Sequence, residues 1–378
     1  MDTLVISDLH LGSRARHDVL RIAGAQERLL AAIDGVQRLV LLGDTVELVT
    51  RHPRRALSLA EPVIRALGRR LGPEREVIVV PGNHDAALAR SWVLAQGRSL
   101  RPCTEVSSEA SAALSALAAW LNPARMSVSY PGVWLGERIW ATHGHYLDRH
   151  LLPDSSIGLP RPVFGRPTHA DPIDYEHGRK RGRGAREPLG SRLLSRPVGT
   201  ILEASADLVR VMAVPHVPRL LMNRGLAPVT ARVIDSQMRH AAVPAMARVA
   251  RRLGIDADWV LFGHVHRRGP IGDEAWPADG AMRLVNTGSW VYDPLLLDRA
   301  TPPNPYWPGG AVLLRDGAAP QSVGLLDGMT AAELRSAGRG TGRELWNGLQ
   351  LPRLLIWTPA LIVVFVLAGI VIAIVRLA

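Results

Sequence analysis

Three short apolar runs, Leu4 to Ile6, Leu39 to Leu42 and Val77 to Val80, punctuate the first eighty residues without the polar alternation of a half-solvated strand. Continuous runs of this length predict strands covered on both faces. Amphipathic stretches near Leu20 to Ile33 and Ala56 to Leu71 separate them and read as helices. Ile139 to Thr142, Trp259 to Phe262 and Leu284 to Asn286 read as further strands. This alternation predicts an α/β fold of layered sheets flanked by helices over residues 1–325. No internal repeat is visible.

The pattern changes twice. Residues 151–255 form an insertion or lid; its first part is rich in Pro, Gly and Arg, with a basic cluster from Arg179 to Arg186, and helical stretches follow near Ile201 to Val214 and Thr230 to Leu253. Residues 326–353 read as a Gly-rich, partly helical linker. Leu354 to Val375 then run without a charge, and from Ala360 onward every residue is apolar. At about 1.5 Å per residue such a helix crosses the roughly 30 Å of bilayer hydrocarbon. The expectation is therefore one C-terminal transmembrane helix over 354–375; a buried core helix is the alternative. Arg335, Arg339, Arg343 and Arg353 precede it and only Arg376 follows, which places the preceding domain on the cytoplasmic side. No signal peptide opens the chain. The expected location is the cell membrane, by a single-pass C-terminal anchor.

The chain has 378 residues, 47% of them hydrophobic and 21% charged, which excludes wholesale disorder. One cysteine, Cys103, rules out an internal disulfide and a thiolate zinc site. The net charge of +11 raises the question of an anionic partner. Scattered basic residues, 5% aromatics and no recognisable binding module argue against nucleic acid. All but one of the 45 basic residues are arginines, a bias expected of a GC-rich genome.

Candidate chemistry gathers just past the predicted strands, where open α/β sheets hold their ligands. In order these blocks are Asp8-Leu9-His10, Gly43-Asp44, Gly82-Asn83-His84-Asp85, His143-Gly144-His145 and Gly263-His264-Val265-His266. Asp, Asn and His without thiolates suit Mn, Fe or Zn, and the set is large enough for two divalent metal ions. Two ions about 3.5 to 4 Å apart can hold a bridging hydroxide and clamp a phosphoryl group.

These blocks resemble the calcineurin-like metallophosphoesterase superfamily, whose pattern runs D-x-H, G-D, G-N-H-D, H and G-H-x-H. The resemblance implies that fold and a metal-dependent phosphohydrolase, with Mn the first choice of ion. It implies that Asp8, His10 and His266 hold one metal, that Asn83, His143 and His264 hold a second, and that Asp44 bridges both. His84 would stabilise the transition state or protonate the leaving oxygen, with Asp85 orienting it. His143 is preferred over His145 as ligand, leaving His145 to touch substrate; Asp148 either caps the next segment or supports the site. Asn286 to Ser289 resembles a turn that supports such sites. Gly43-Asp44-Thr45-Val46-Glu47 lacks the Asp-Arg-Gly of protein Ser/Thr phosphatases. Together with Ser7 to Leu11 it is similar to UDP-2,3-diacylglucosamine hydrolases, membrane-associated enzymes that cut a lipid-linked pyrophosphate, although those often carry Arg where this chain has His84. The expected substrate is a lipid-linked phosphoester or pyrophosphate, with two alternatives: a nucleotide or cyclic-nucleotide phosphodiesterase, and a membrane-tethered scaffold without chemistry.

Overall fold

The computed structural model describes residues 1–13, 17–151, 169–177, 235, 238–276, 282–297 and 300–335. The larger part of the insertion, with its basic cluster and the helical stretch expected near Ile201 to Val214, lies outside them. So does segment 354–375; among the described residues no helix is long and apolar enough to cross a membrane.

Two sheets face each other. Strands β1 (Thr3–Ile6), β2 (Arg38–Leu42) and β3 (Glu76–Val80) belong to the first, with β4 (Thr104–Glu105) and β5 (Arg125–Tyr130). The second contains β6 (Gly132–Gly136), β7 (Ile139–Thr142), β8 (Trp259–Phe262) and β9 (Arg283–Asn286), and the chain then returns to the first through β10 (Gly310–Leu314) and β11 (Gln321–Gly324). The seven-stranded order is β11-β10-β1-β2-β3-β5-β4, and the four-stranded order is β6-β7-β8-β9. β1, β2, β3 and β5 run parallel, as do β7, β8 and β9.

The unbroken apolar runs have a direct explanation. Successive side chains of a strand point to opposite faces, and here both faces are dry. Leu39 and Leu41 of β2 join a core with the helices outside the first sheet, whereas Val40 and Leu42 join the core between the sheets. β3 divides the same way, Val77 and Val79 outward, Ile78 and Val80 inward. Burying each such side chain contributes about 1.5 to 3 kcal/mol.

Helices α1 (Ala23–Asp34) and α2 (Pro53–Leu71) cover the first sheet, and α2 buries Ala56, Ala60, Val63, Ile64, Leu67 and Leu71, one helical stripe. A short α3 (Arg90–Gln96) precedes α4 (Ala112–Leu121), whose N-terminus is capped by the Ser111 hydroxyl accepting from the Leu114 amide at 3.1 Å. On the far side, α5 (Pro172–His177) and α6 (Val243–Arg252) enclose the second sheet; Tyr175 of α5 and Met246, Val249 and Ala250 of α6 pack with Trp140, Val260 and Phe262. The layered architecture matches the sequence expectation. β4 to β6, β10, β11, α3 and α4 are elements that the apolar runs did not announce.

Candidate active site

The carboxyl ends of β1, β2, β3, β7 and β8 open on one edge of the two-sheet core, and each is followed by one of the five sequence blocks. The structure brings them together. Three clusters have ligand atoms lying within 4.8 Å of one another: Asp8, His10 and His266; Asp44, His143 and His264; and His10, Asp44 and His84. Asp44 stands between the first two, its Oδ2 3.8 Å from His10 Nε2 and 3.2 Å from His143 Nε2. Asn83 Oδ1 lies 3.1 Å from His143 Nε2.

The backbone is contorted to achieve this. Among the described residues the only non-glycine positions with positive φ are Asp8 (55°), His10 (44°), Asp44 (52°), His264 (70°) and His266 (56°). Left-handed backbone costs of order 1 kcal/mol or more at a residue bearing a Cβ, so strain is concentrated where side chains must converge. At Gly82 a Cβ would collide with the Asp44 carboxylate, and at Gly43, itself at φ 88°, with the His143 ring.

Proton accounting tests whether a cation fits. His143 Nδ1 donates to the Leu42 carbonyl at 3.0 Å. In a neutral ring Nε2 then carries a lone pair, yet it faces the oxygens of Asn83 and Asp44. Acceptor against acceptor requires a proton or a metal between them. Without a metal a proton takes that place: burial opposes the charge, but the Asp44 and Asp8 carboxylates outweigh it and push the His143 imidazolium to about 10. His10 repeats the arrangement, Nδ1 donating to Glu47 Oε2 at 3.0 Å while Nε2 faces His266 Nε2 at 3.2 Å. Asp8 Oδ1 is buried and accepts no hydrogen bond, with His266 Nε2 3.2 Å away. Burial raises the Asp8 carboxyl, but His266 and His143 overcome it and hold the group at about 2. A set of buried lone pairs with too few protons suits divalent cations.

Around this centre the supporting contacts differ from expectation in one respect. Asp85 does not orient the His84 ring: its carboxylate accepts from the amides of Gly82 (2.6 Å) and Thr45 (2.7 Å), tying the third block to the second. Burial and the nearby Asp44 charge raise its carboxyl to about 6. The His84 ring is held instead by Glu47, whose Oε2 accepts from His84 Nδ1 at 2.8 Å as well as from His10. Glu47 Oε1 accepts from the Val49 and Thr50 amides, so this buried carboxylate is satisfied at both oxygens. Its position three residues after Asp44 was the available signal, and a lone Glu in the run Val46 to Leu48 does not disclose which rings it meets.

Asp148 accepts from His264 Nε2 at 2.9 Å, which leaves Nδ1 as the lone-pair nitrogen of a neutral His264. Asn286 donates to the Gly263 carbonyl at 2.7 Å and accepts from the Gly288 amide at 2.9 Å, bracing the last histidine block. His145 stands one ring further out, its centroid 5.6 Å from that of His143 and its Nε2 3.3 Å from the Tyr130 hydroxyl.

No curated protein matches the chain. A family model described as calcineurin-like phosphoesterase matches residues 1–268, a stretch that contains all five blocks. The chain therefore belongs to the calcineurin-like phosphoesterase family and is a hydrolase of phosphoester bonds.

Proposed function

We propose that the protein is a dinuclear phosphohydrolase acting on a lipid-linked phosphoester or pyrophosphate at a membrane surface. In this reading Asp8, His10 and His266 hold one divalent ion, Asn83, His143 and His264 hold the other, and Asp44 serves both. The observation that carries it is the Asp44 carboxylate standing between two ligand clusters whose ring lone pairs face oxygens. Bound ions would supply charge neutralisation for the phosphoryl oxygens and an activated water. The chain's own residues do the rest. Glu47 holds His84 at Nδ1, leaving Nε2 to donate a proton to the oxygen that departs from phosphorus. Asp85 braces the loops carrying Asp44 and His84. The Asp, Asn and His donor set makes manganese the first ion to try, with iron and zinc next.

The lipid-linked substrate and the cytoplasmic face of the membrane rest on the uncharged run Leu354 to Val375 and on the arginines before it. A tethered site works at a raised local concentration of membrane substrate.

Metal content by mass spectrometry, paired with hydrolysis of 4-nitrophenyl phosphate and bis(4-nitrophenyl) phosphate before and after chelation, tests the chemistry. About two ions per chain and turnover lost to chelator and restored by Mn are expected. A metal-free protein that no added ion activates would overturn the reading. Flotation of the full chain with lipid vesicles tests the anchor; a chain ending at Arg353 should stay at the bottom of the gradient.

A further inference from the structure

Beside the ligand clusters, on the side of His143 and His264, lies a cavity of about 100 Å³. Asn83, His145, Tyr146, Asp148, Arg149 and Glu176 line it. Two of these residues also belong to the centre's own contacts: Asn83 through His143, and Asp148 through His264. An occupant of the cavity is therefore in reach of whatever phosphoryl group the centre holds. The space admits a group of several heavy atoms, since one water occupies roughly 10 to 15 Å³ on the same measure. An acyl chain would not fit.

The walls are polar and already fixed. Tyr146 and Tyr175 stack face to face, ring centroids 4.6 Å apart, and Arg252 lies over Tyr175 at 5.8 Å. Tyr146 donates to Glu176 Oε1 at 2.7 Å and the Tyr130 hydroxyl donates to the same oxygen. Burial and the neighbouring Tyr130 and Glu176 hold the Tyr146 phenol well above its ordinary range, so it remains a donor at neutral pH. Both hydroxyls are thus spent on one carboxylate oxygen. Among the described residues no donor reaches Glu176 Oε2, and Glu176 lines a cavity that adjoins the centre. Asp148 brings a second carboxylate, and Arg149, which donates to the Tyr175 carbonyl, balances one of the two charges.

An apolar group placed here would strip water from these acceptors without replacing its hydrogen bonds, which is unfavourable. A group carrying hydroxyls would replace them. We propose that this cavity binds the organic portion of the phosphoester and selects one bearing hydroxyl groups, such as a glycerol or sugar moiety, with Glu176 as the selecting acceptor. The proposal rests on the phosphohydrolase reading above and narrows its substrate to a polyol ester, the lipid remainder lying outside the cavity.

The test uses matched esters, propyl and 2,3-dihydroxypropyl, each made as the phosphate monoester and as the methyl diester, with the two 4-nitrophenyl esters as reference. The Mn-loaded full chain should favour the dihydroxypropyl member of a pair at least tenfold in kcat/KM, mainly through KM. In Glu176→Gln the amide oxygen can still accept from both tyrosines while the amide nitrogen puts a donor where Oε2 stood. Its dihydroxypropyl-to-propyl ratio should fall toward one. The ratio is taken within one preparation, so an inactive fraction cancels. A wild-type ratio near one overturns the proposal, as does a ratio that survives Glu176→Gln. Faster turnover of the 2-aminoethyl esters than of either would replace the hydroxyl by an ammonium and overturn it too. Turnover of the nitrophenyl esters without hydroxyl preference sinks this proposal alone; no turnover of any ester sinks the phosphoester form of the reading above and this proposal with it.

Discussion

The two sheets contribute opposite chemistry to one centre. Loops of the seven-stranded sheet bring Asp8, Asp44, Glu47 and Asp85, all buried, together with His10, Asn83 and His84. Loops of the four-stranded sheet bring histidines, His143, His264 and His266, and their carboxylate, Asp148, is 59% exposed at its side chain. One half thus supplies the buried carboxylates, and the other is an imidazole wall that runs from the buried His143 out to His266, which is 35% exposed against 0% for Asp8. Buried carboxylates are costly unless a cation or hydrogen bonds compensate them. The difference teaches that charge demand originates in the first sheet, while the second sheet supplies further candidate ligands and borders the cavity where selection is proposed. Substitutions should follow the same gradient, severe at the buried carboxylates and milder toward the rim.

The largest effect is expected at Asp44, which lies 3.8 Å from His10 Nε2 of one cluster and 3.2 Å from His143 Nε2 of the other. Asp44→Asn keeps the shape and removes the charge; it should lower kcat/KM by at least about a thousandfold and reduce bound metal below two ions per chain. His84→Ala should cost about a hundredfold to a thousandfold, the usual loss for one transition-state donor, with the metal content unchanged. Equal residual activity in the two variants would contradict the assignment of Asp44 as the shared ligand.

Glu47 comes next, because it acts through the two rings it holds. Glu47→Gln should lower kcat by about ten- to a hundredfold, the range seen when outer partners of metal ligands are changed, while KM moves little. A double-substitution cycle with His84→Ala sharpens this. If Glu47 works mainly by orienting His84, its removal in the His84→Ala background should cost only a few-fold. Full additivity would shift its role to His10.

The ligand blocks were legible in the sequence because each is local, two to four residues directly after an apolar run, and the runs themselves mark buried parallel strands. The family match over residues 1–268 agrees with that reading. The strands that escaped notice are short or polar. β5, Arg125–Tyr130, begins exposed and carries two serines, and β6, Gly132–Gly136, begins and ends with glycine. The partnership of Glu47 with His84 joins two loops 37 residues apart, and Asp85 turns to the backbone of Thr45 across 40. Neighbours in sequence suggested Asp85 for the His84 ring, but the turn that presents the ring to the centre directs the next side chain back beneath the loop.

The smallest effect is expected at Asp148. It fixes His264 by the same device that Glu47 uses on His10 and His84, a carboxylate accepting from the ring nitrogen turned away from the centre. The surroundings differ: the Asp148 side chain is 59% exposed and that of Glu47 4%. Solvent screens the exposed charge, and Asn at this position retains a carbonyl oxygen able to accept from His264. Asp148→Asn should therefore weaken binding of the second ion by no more than about tenfold, the lower end for such partners, as measured by metal titration calorimetry. The same titration on Glu47→Gln supplies the comparison for the first ion. If the rim substitution weakened its ion as much as the buried one, burial would not be what grades the two halves, and the contrast between buried carboxylates and imidazole wall would have to be abandoned as the organising feature of this centre.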